Sequence, residues 1–384
     1  MKAVGIICEY NPLHNGHERQ IRIIRQLHGE DSAIVCLMSG NFVQRGMPAI
    51  FDKSIRAEAA IRAGADLVLE LPTEYALSSA EGFAAGGVRI LGKFCDLLCF
   101  GAETPDTEQL MRCAEALLSD AFRPLLKSCL ETGKSFPAAR QLALSQMGLD
   151  ATILEKPNNI LAVEYCKAIL SQRSAMIPLV IERRGDYHDT IPDIENPSAT
   201  AVRELFKAND NWRSCVPEYL HDLFSRASIH TLEAGSRAIL AKLRTMADED
   251  FEALPYGSEG LWRKFMHACR EKATLDEIIE ATKSKRYTRS RIDRMILCAF
   301  LGITLQDLLS PVPYTRVLAF NDRGRTALKA ARSTGEFLNA GQIELSPYGA
   351  KERILGDLYG LFAEENPETP GAELRRRVYY QKEL

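Results

Sequence analysis

The first half of the chain alternates between short apolar runs and amphipathic stretches. Ala3-Val4-Gly5-Ile6-Ile7-Cys8, Ala33 to Met38, Asp66 to Leu71, Asp96 to Phe100 and Ile177 to Ile181 are apolar runs of strand length. A strand without polar alternation is one covered on both faces, as in a parallel sheet. Between these runs the spacing predicts helices. One begins near Asn15, with Ile21, Ile24 and Leu27 on one face, and others span Lys53 to Ala63 and Ala80 to Leu91. Four more follow at Asp106 to Leu118, Ala121 to Glu131, Ala138 to Gln146 and Asn159 to Leu170. Strands and helices on this rhythm make βαβ units. After Asn196-Pro197-Ser198 comes a helix over Ala199 to Lys207, and then the rhythm stops. Residues 215 to 310 read as helices, Val317 to Phe320 as a lone strand, and Ala350 to Ala363 as a last helix. The expected architecture is α/β: a Rossmann-like parallel-sheet domain over 1–210, then a mostly helical domain over 211–384.

Composition narrows the class. The 384 residues are 46% hydrophobic and 26% charged with a formal net charge of −3, the balance of an ordinary globular protein. No apolar run approaches the roughly 20 residues of a membrane span. The N-terminal run soon meets Glu9 and His14, unlike a secretory leader. The ten cysteines are scattered singly with no CxxC pair, so buried thiols in a reducing cytoplasm are expected. A slightly acidic chain offers a nucleic acid nothing beyond a local basic patch.

The sharpest candidate for chemistry is His14-Asn15-Gly16-His17, directly after the first strand. Two histidines three apart at a helix start share a face. The helix N-terminus adds backbone N–H groups and a positive dipole end suited to phosphate. Gly16 removes a side chain where a ligand approaches the backbone. Such a site has what displacement at phosphorus needs, positioning and electrostatic stabilisation. Zinc held by His14, His17 and Glu9 is the alternative.

In this setting HxGH resembles the HIGH-type nucleotidyltransferase superfamily. The longer string Glu9-Tyr10-Asn11-Pro12-Leu13-His14-Asn15-Gly16-His17 resembles, more narrowly, the bacterial tRNA(Met) cytidine acetate ligases. So do residues Met38 to Ala49, Gly64 to Pro72, Phe100-Gly101-Ala102-Glu103, Lys156 to Leu161, Asp186-Tyr187-His188-Asp189, Ser198 to Arg203 and Lys283 to Thr288, in order along the chain to about residue 295. Leu13 stands where that family usually has Phe, and Met47 where an acidic residue is common.

The resemblance implies a two-step ligase. ATP and acetate give acetyl-adenylate and pyrophosphate, and the acetyl group passes to N4 of the wobble cytidine of elongator tRNA(Met). No membrane or protein partner is implied. The ATP loop would be Ile7, Cys8, Glu9, Tyr10, Asn11, Pro12, Leu13, His14, Asn15, Gly16, His17, Glu18, Arg19 and Gln20, with His14 and His17 catalytic. Gly101 at a strand end, Asn158, Arg183 (or Arg184), Thr200 and Arg203 would complete the nucleotide site, Thr200 and Arg203 as a phosphate element. Asn158 reads equally as a helix cap. His188 and Asp189 read as an acid–base pair or as a turn. Mg²⁺ would ride on the phosphates, since no carboxylate cluster names a protein ligand. Lys53 and Arg56 on one helix face read as a solvated surface.

The tRNA contact is expected at Lys283, Lys285, Arg286, Tyr287 and Arg289. Lys283 to Arg294 carries six basic residues against Asp293, with Tyr287 among them to stack on an unpaired base. Gln44-Arg45 is a second candidate surface. Two other functions stay open: a nucleotidyltransferase acting on a small phosphorylated metabolite, and a non-catalytic RNA-associated protein that keeps an ATP pocket.

Overall fold

Val4 and Ile6 of the first strand enter one apolar core while Ala3 and Ile7 enter another. This two-sided burial is why the strand reads as an unbroken apolar run. The computed structural model describes residues 2–29, 31–183, 197–284, 286–312, 314–331, 337–338 and 347–382. Arg184, His188, Asp189 and Lys285 lie outside the described residues, so the readings placed on them carry no geometry.

The strands are β1 (Ala3–Cys8), β2 (Ala33–Ser39), β3 (Phe42–Val43), β4 (Met47–Pro48), β5 (Leu67–Leu71), β6 (Leu97–Ala102), β7 (Ile177–Glu182), β8 (Thr315–Asn321), β9 (Phe337–Leu338) and β10 (Tyr379–Gln381). The main sheet runs β10-β8-β5-β2-β1-β6-β7, with β9 beside β8. From β5 to β7 every neighbouring pair is parallel. The order reverses at β1, between β2 and β6, which opens a crevice at the strands' carboxyl ends. Helices Ala80–Leu91, Thr107–Leu118 and Pro157–Ser171 cover one face. Helices Asn15–His28, Lys53–Arg62 and Ala199–Lys207 cover the other.

The lone strand foreseen near residue 317 is β8. It pairs antiparallel with β5, and β10 pairs parallel with β8. The region after 211 is mostly helical, and it also sends β8 and β10 into the main sheet, which therefore takes strands from both sides of the 210/211 division. The helices Leu232–Thr245, Leu261–Glu271, Leu275–Thr282 and Arg289–Leu301 build a third core that includes Phe42 and Leu77 from the first half. The Phe42 ring meets Tyr359 and Phe362 edge-on at 5.9 and 6.0 Å.

Lys53 and Arg56 are not solvated: they are 1% and 0% exposed. Lys53 Nζ lies 2.6 Å from Glu70 Oε1 and 2.8 Å from Glu373 Oε1. Arg316 pairs with the same two carboxylates, and Arg376 joins Glu373 to Asp52. Asp52 caps the helix Lys53–Arg62. Arg56 has a different environment. Its Nε donates to Phe51 O at 2.8 Å, Nη1 to Glu9 O at 2.7 Å and Ser39 O at 3.0 Å, and Nη2 to Gly40 O. It thereby ties the end of β1 to the end of β2. All ten cysteines are free thiols, nine of them buried. No helix among the described residues is long and apolar enough to cross a membrane.

Candidate nucleotide site

The chain leaves β1 at Cys8 and re-enters helix at Asn15. Tyr10 sits at φ +43° and the Asn11–Pro12 peptide is cis. His14 is the N-cap of the helix: its Nδ1 accepts the Gly16 N–H at 3.2 Å. That bond assigns the tautomer, because an accepting Nδ1 leaves the proton on Nε2. His14 Nε2 is buried and has no partner, and so is His17 Nδ1. The two rings stack with centroids 3.7 Å apart, and Tyr10 meets His17 edge-on at 5.0 Å. A Cβ at Gly16 would lie 3.2 Å from the His14 ring, so the glycine makes room for its own cap. One of the helix N–H groups that sequence reasoning offers to a phosphate is thus already taken by His14.

Burial, and then the nearby Arg183, push His17 down to about 3. Burial, then His17, Arg183 and Arg203, hold His14 well below the ordinary imidazole value. Both rings are neutral near pH 7. His14 therefore presents an Nε2–H donor, in a cavity where charge on the imidazole is disfavoured until an anion arrives.

The cavity has two lobes at the β1/β6 reversal. The larger, of about 190 Å³, includes Ile7, Cys8, Glu9, Tyr10 and Asn11 from the loop, with Asn158, Thr200 and Arg203. The smaller, of about 100 Å³, includes His14, Gly16 and Arg19. His17, Gln20, Gly101 and Arg183 line both. Pro12, Leu13, Asn15 and Glu18 line neither. Pro12 and Leu13 are buried in the wall, Asn15 Nδ2 donates to Ser214 O at 3.1 Å, and Glu18 accepts from Arg22 and the Tyr219 hydroxyl on the outer face.

The polar side chains are held by one another. Arg203 Nη1 donates to Asn11 O at 2.7 Å and Nη2 to Thr200 Oγ1 at 3.1 Å. Arg183 Nη1 donates to Asn158 Oδ1 at 3.2 Å, and Asn158 Nδ2 donates to Glu103 Oε1 at 2.6 Å. Glu103 also accepts the backbone N–H groups of Asn158 and Asn159, so Glu103, not Asn158, caps the helix Pro157–Ser171. Glu9 Oε1 accepts the Gln44 N–H at 2.8 Å. With His14 Nδ1 accepting backbone and the proton on Nε2, the zinc alternative loses His14 as a ligand. Among the described residues no group of three or more His, Cys, Asp or Glu is placed to hold a metal ion.

Phe83, Leu161, Tyr165, Gln44, Arg45 and Met47 also line the larger lobe, and sequence reasoning did not assign them to the nucleotide site. Asn158, Leu161 and Tyr165 lie at i, i+3 and i+7 on one helix face, a signal that could have found two of them.

The basic segment divides in two. Lys283, Arg286 and Arg289 are exposed, each beside an acid: Glu280 at 3.5 Å, Glu259 at 2.8 Å and Asp293 at 3.3 Å. The first two pairs, exposed on both sides, are worth little and yield readily to a polyanion, whereas Asp293 is largely buried. Arg291 and Arg294 are structural instead of presented to a ligand. Arg291 donates to Tyr256 O and lies 5.0 Å over the half-buried Tyr287 ring; Arg294 Nη1 donates to Gln44 O at 3.2 Å.

A parallel sheet reversing at β1, with HxGH opening the next helix and arginines converging on its phosphate end, defines a nucleotidyltransferase. The family model described as HIGH Nucleotidyl Transferase matches residues 1–343. Within it the chain belongs to the tRNA(Met) cytidine acetate ligase family. It is 39% identical to the tRNA(Met) cytidine acetate ligase of Clostridium novyi, over 86% of this chain and 87% of that one. It is 34% identical to that of Alkaliphilus metalliredigens over the full length of both. The crystal structure of Thermotoga maritima TmcAL without ligand superposes with a TM-score of 0.93 at 29% identity over all of both chains. The same protein bound with alpha-thio ATP gives 0.90.

Proposed function

We propose that this enzyme activates acetate with ATP and passes the acetyl group to N4 of the wobble cytidine of elongator tRNA(Met). The observation that carries the reading is the neutral His14–His17 stack beside Arg183 and Arg203 at the β1/β6 reversal, in a chain of this family.

In the first step an acetate oxygen attacks the α-phosphorus, the bond to the bridging oxygen breaks, and pyrophosphate leaves. His14 Nε2–H and His17 donate to phosphate oxygens as their charge grows, with Arg183 and Arg203 as fixed counter-charges. In the second step N4 attacks the acetyl carbon. The N–C bond forms, the C–O bond to AMP breaks, AMP leaves with the electron pair, and N4 gives up one proton. Mg²⁺ belongs to the proposal as charge neutralisation on the nucleotide phosphates. The donors around the cavity are mostly imidazoles, guanidiniums and amides. Of the carboxylates, Glu9 already accepts the Gln44 N–H, and Glu182 stands in the smaller lobe with no second acid of a metal-holding group among the described residues, so no protein ligand to Mg²⁺ is assigned. Lys283, Arg286 and Arg289 are the proposed tRNA contacts, with Tyr287 beside them.

The test is ATP–pyrophosphate exchange with Mg²⁺ and without tRNA. Acetate-dependent exchange that disappears in His17→Ala supports the reading. Exchange that needs a phosphorylated metabolite instead of acetate replaces it with the metabolite nucleotidyltransferase. If salt up to about 0.2 M leaves tRNA binding unweakened, the basic surface has no role.

A further inference from the structure

Two buried amides in the wall of the larger lobe carry donors with nothing to receive them. Asn11 is 2% exposed, and its Oδ1 accepts the Ile50 N–H at 2.7 Å. That bond fixes the amide's orientation and leaves Nδ2 without a partner. Gln44 is held by its backbone on both sides, its N–H on Glu9 Oε1 and its carbonyl on Arg294 Nη1. Its Nε2 is buried and unpartnered. Both residues line the same lobe, with apolar Val43 and Met47 flanking Gln44. An unmet buried donor costs about 1–3 kcal/mol. Two of them on residues that line one lobe call for a ligand edge made of acceptors.

This wall is also the one joined to the basic surface. Gly46 has φ +80°, and a Cβ there would lie 2.3 Å from Arg294 N, so the loop after β3 lies directly on the helix Arg289–Leu301. That helix begins at the exposed basic segment. The exposed basic segment and Gln44 are therefore joined through one helix, Arg294 holding the Gln44 carbonyl.

We infer that Gln44 and Asn11 read the acceptor base, donating to O2 and N3 of cytosine; this rests on the reading that the chain acetylates a cytidine. The pairing edge of cytosine carries two adjacent acceptors and the N4 amine. Donors at O2 and N3 leave N4 directed at the acyl group. Uracil would set its N3–H against an amide donor and leave that donor unpaired, which is the strong form of discrimination between similar ligands. A carboxylate also offers two acceptors, so acetate is the competing occupant.

The full chain carries the test, with Gln44→Ala and, to keep the side-chain volume, Gln44→Met. Three quantities are measured: acetate-dependent exchange without tRNA, acetyl transfer to a tRNA(Met) transcript, and binding of transcripts with cytidine or uridine at the wobble position. Transfer is expected to fall about tenfold more than exchange, the worth of one good hydrogen bond, and the preference for cytidine over uridine to shrink by a similar factor. Exchange falling in step with transfer, with a raised KM for acetate, would put the carboxylate on these donors and overturn the inference. Equal weakening for both transcripts would overturn it too, leaving Gln44 a loop-shaping role. If the unaltered enzyme shows no acetate-dependent exchange, the proposed function fails separately, and the cytidine-to-uridine binding ratio still decides the base-reading role.

Discussion

His14 lies stacked on His17, ring planes 26° apart, with both imidazoles neutral in the free protein. An imidazole whose folded pKa lies below its unfolded value binds a proton first in the unfolded chain. Folding stability is then intact above about pH 6.5 and falls as the pH drops toward 3. Chemical denaturation from pH 7 to pH 4 should show this slope, and His17→Asn should flatten it. A triphosphate beside the rings favours the charged form, so ATP binding at about pH 6 should take up protons. Calorimetry in two buffers of different ionisation enthalpy measures that uptake, and His17→Asn should reduce it.

Arg56 holds the loop on which those histidines are built. Its guanidinium reaches carbonyls of Glu9, Phe51, Ser39 and Gly40, a pattern no ammonium group can span. Arg56→Met should cost roughly 3 kcal/mol in denaturant unfolding by leaving buried carbonyls unpaired. Arg56→Lys should recover less than half of that.

Gly46→Ala strikes the contact between the cavity wall and the basic helix. The left-handed backbone alone costs about 1–2 kcal/mol with a side chain present. The clash with the Arg294 backbone then lifts the loop away from the helix. Acetyl transfer to tRNA should fall more steeply than acetate-dependent exchange, with a rise in KM for tRNA.

The buried ion cluster makes two predictions of opposite sign. Glu373→Ala leaves Lys53 and Arg316 short of a carboxylate and should destabilise by about 3–5 kcal/mol. Glu352 is buried near Glu70, Glu74 and Glu373, and its carboxyl is pushed up to about 8 by desolvation first and then Glu70. A carboxyl raised in the folded state loses stability as the pH climbs from its unfolded value through 8. Glu352→Gln should therefore raise the melting temperature by a few degrees at about pH 9 and change it little at about pH 5.

The five parallel strands were legible because two-sided burial writes itself as an apolar run. The turn after β1 was legible as a candidate site because its residues are contiguous and follow the first strand. The rest depended on distant partners. Lys53 and Arg56 look like any helix surface until Glu373 and the carbonyls at the ends of β1 and β2 arrive. The three residues of β10 are too few and too polar to announce a strand, and nothing local to β8 names β5 as its neighbour. That Glu103, not Asn158, caps its helix needed the end of β6 beside the start of Pro157–Ser171.

The pairing of β5 with β8 also has a consequence in time. About 240 residues separate the two strands, so at 5–20 residues per second the Leu67–Leu71 edge waits roughly 12–50 s on the ribosome for its neighbour. An apolar strand with an open edge invites pairing with any other chain nearby. The parallel half can form early in synthesis, but its flank stays open until β8 emerges. The speed of translation through the helical middle of the chain thus sets how long the nascent protein is exposed to aggregation.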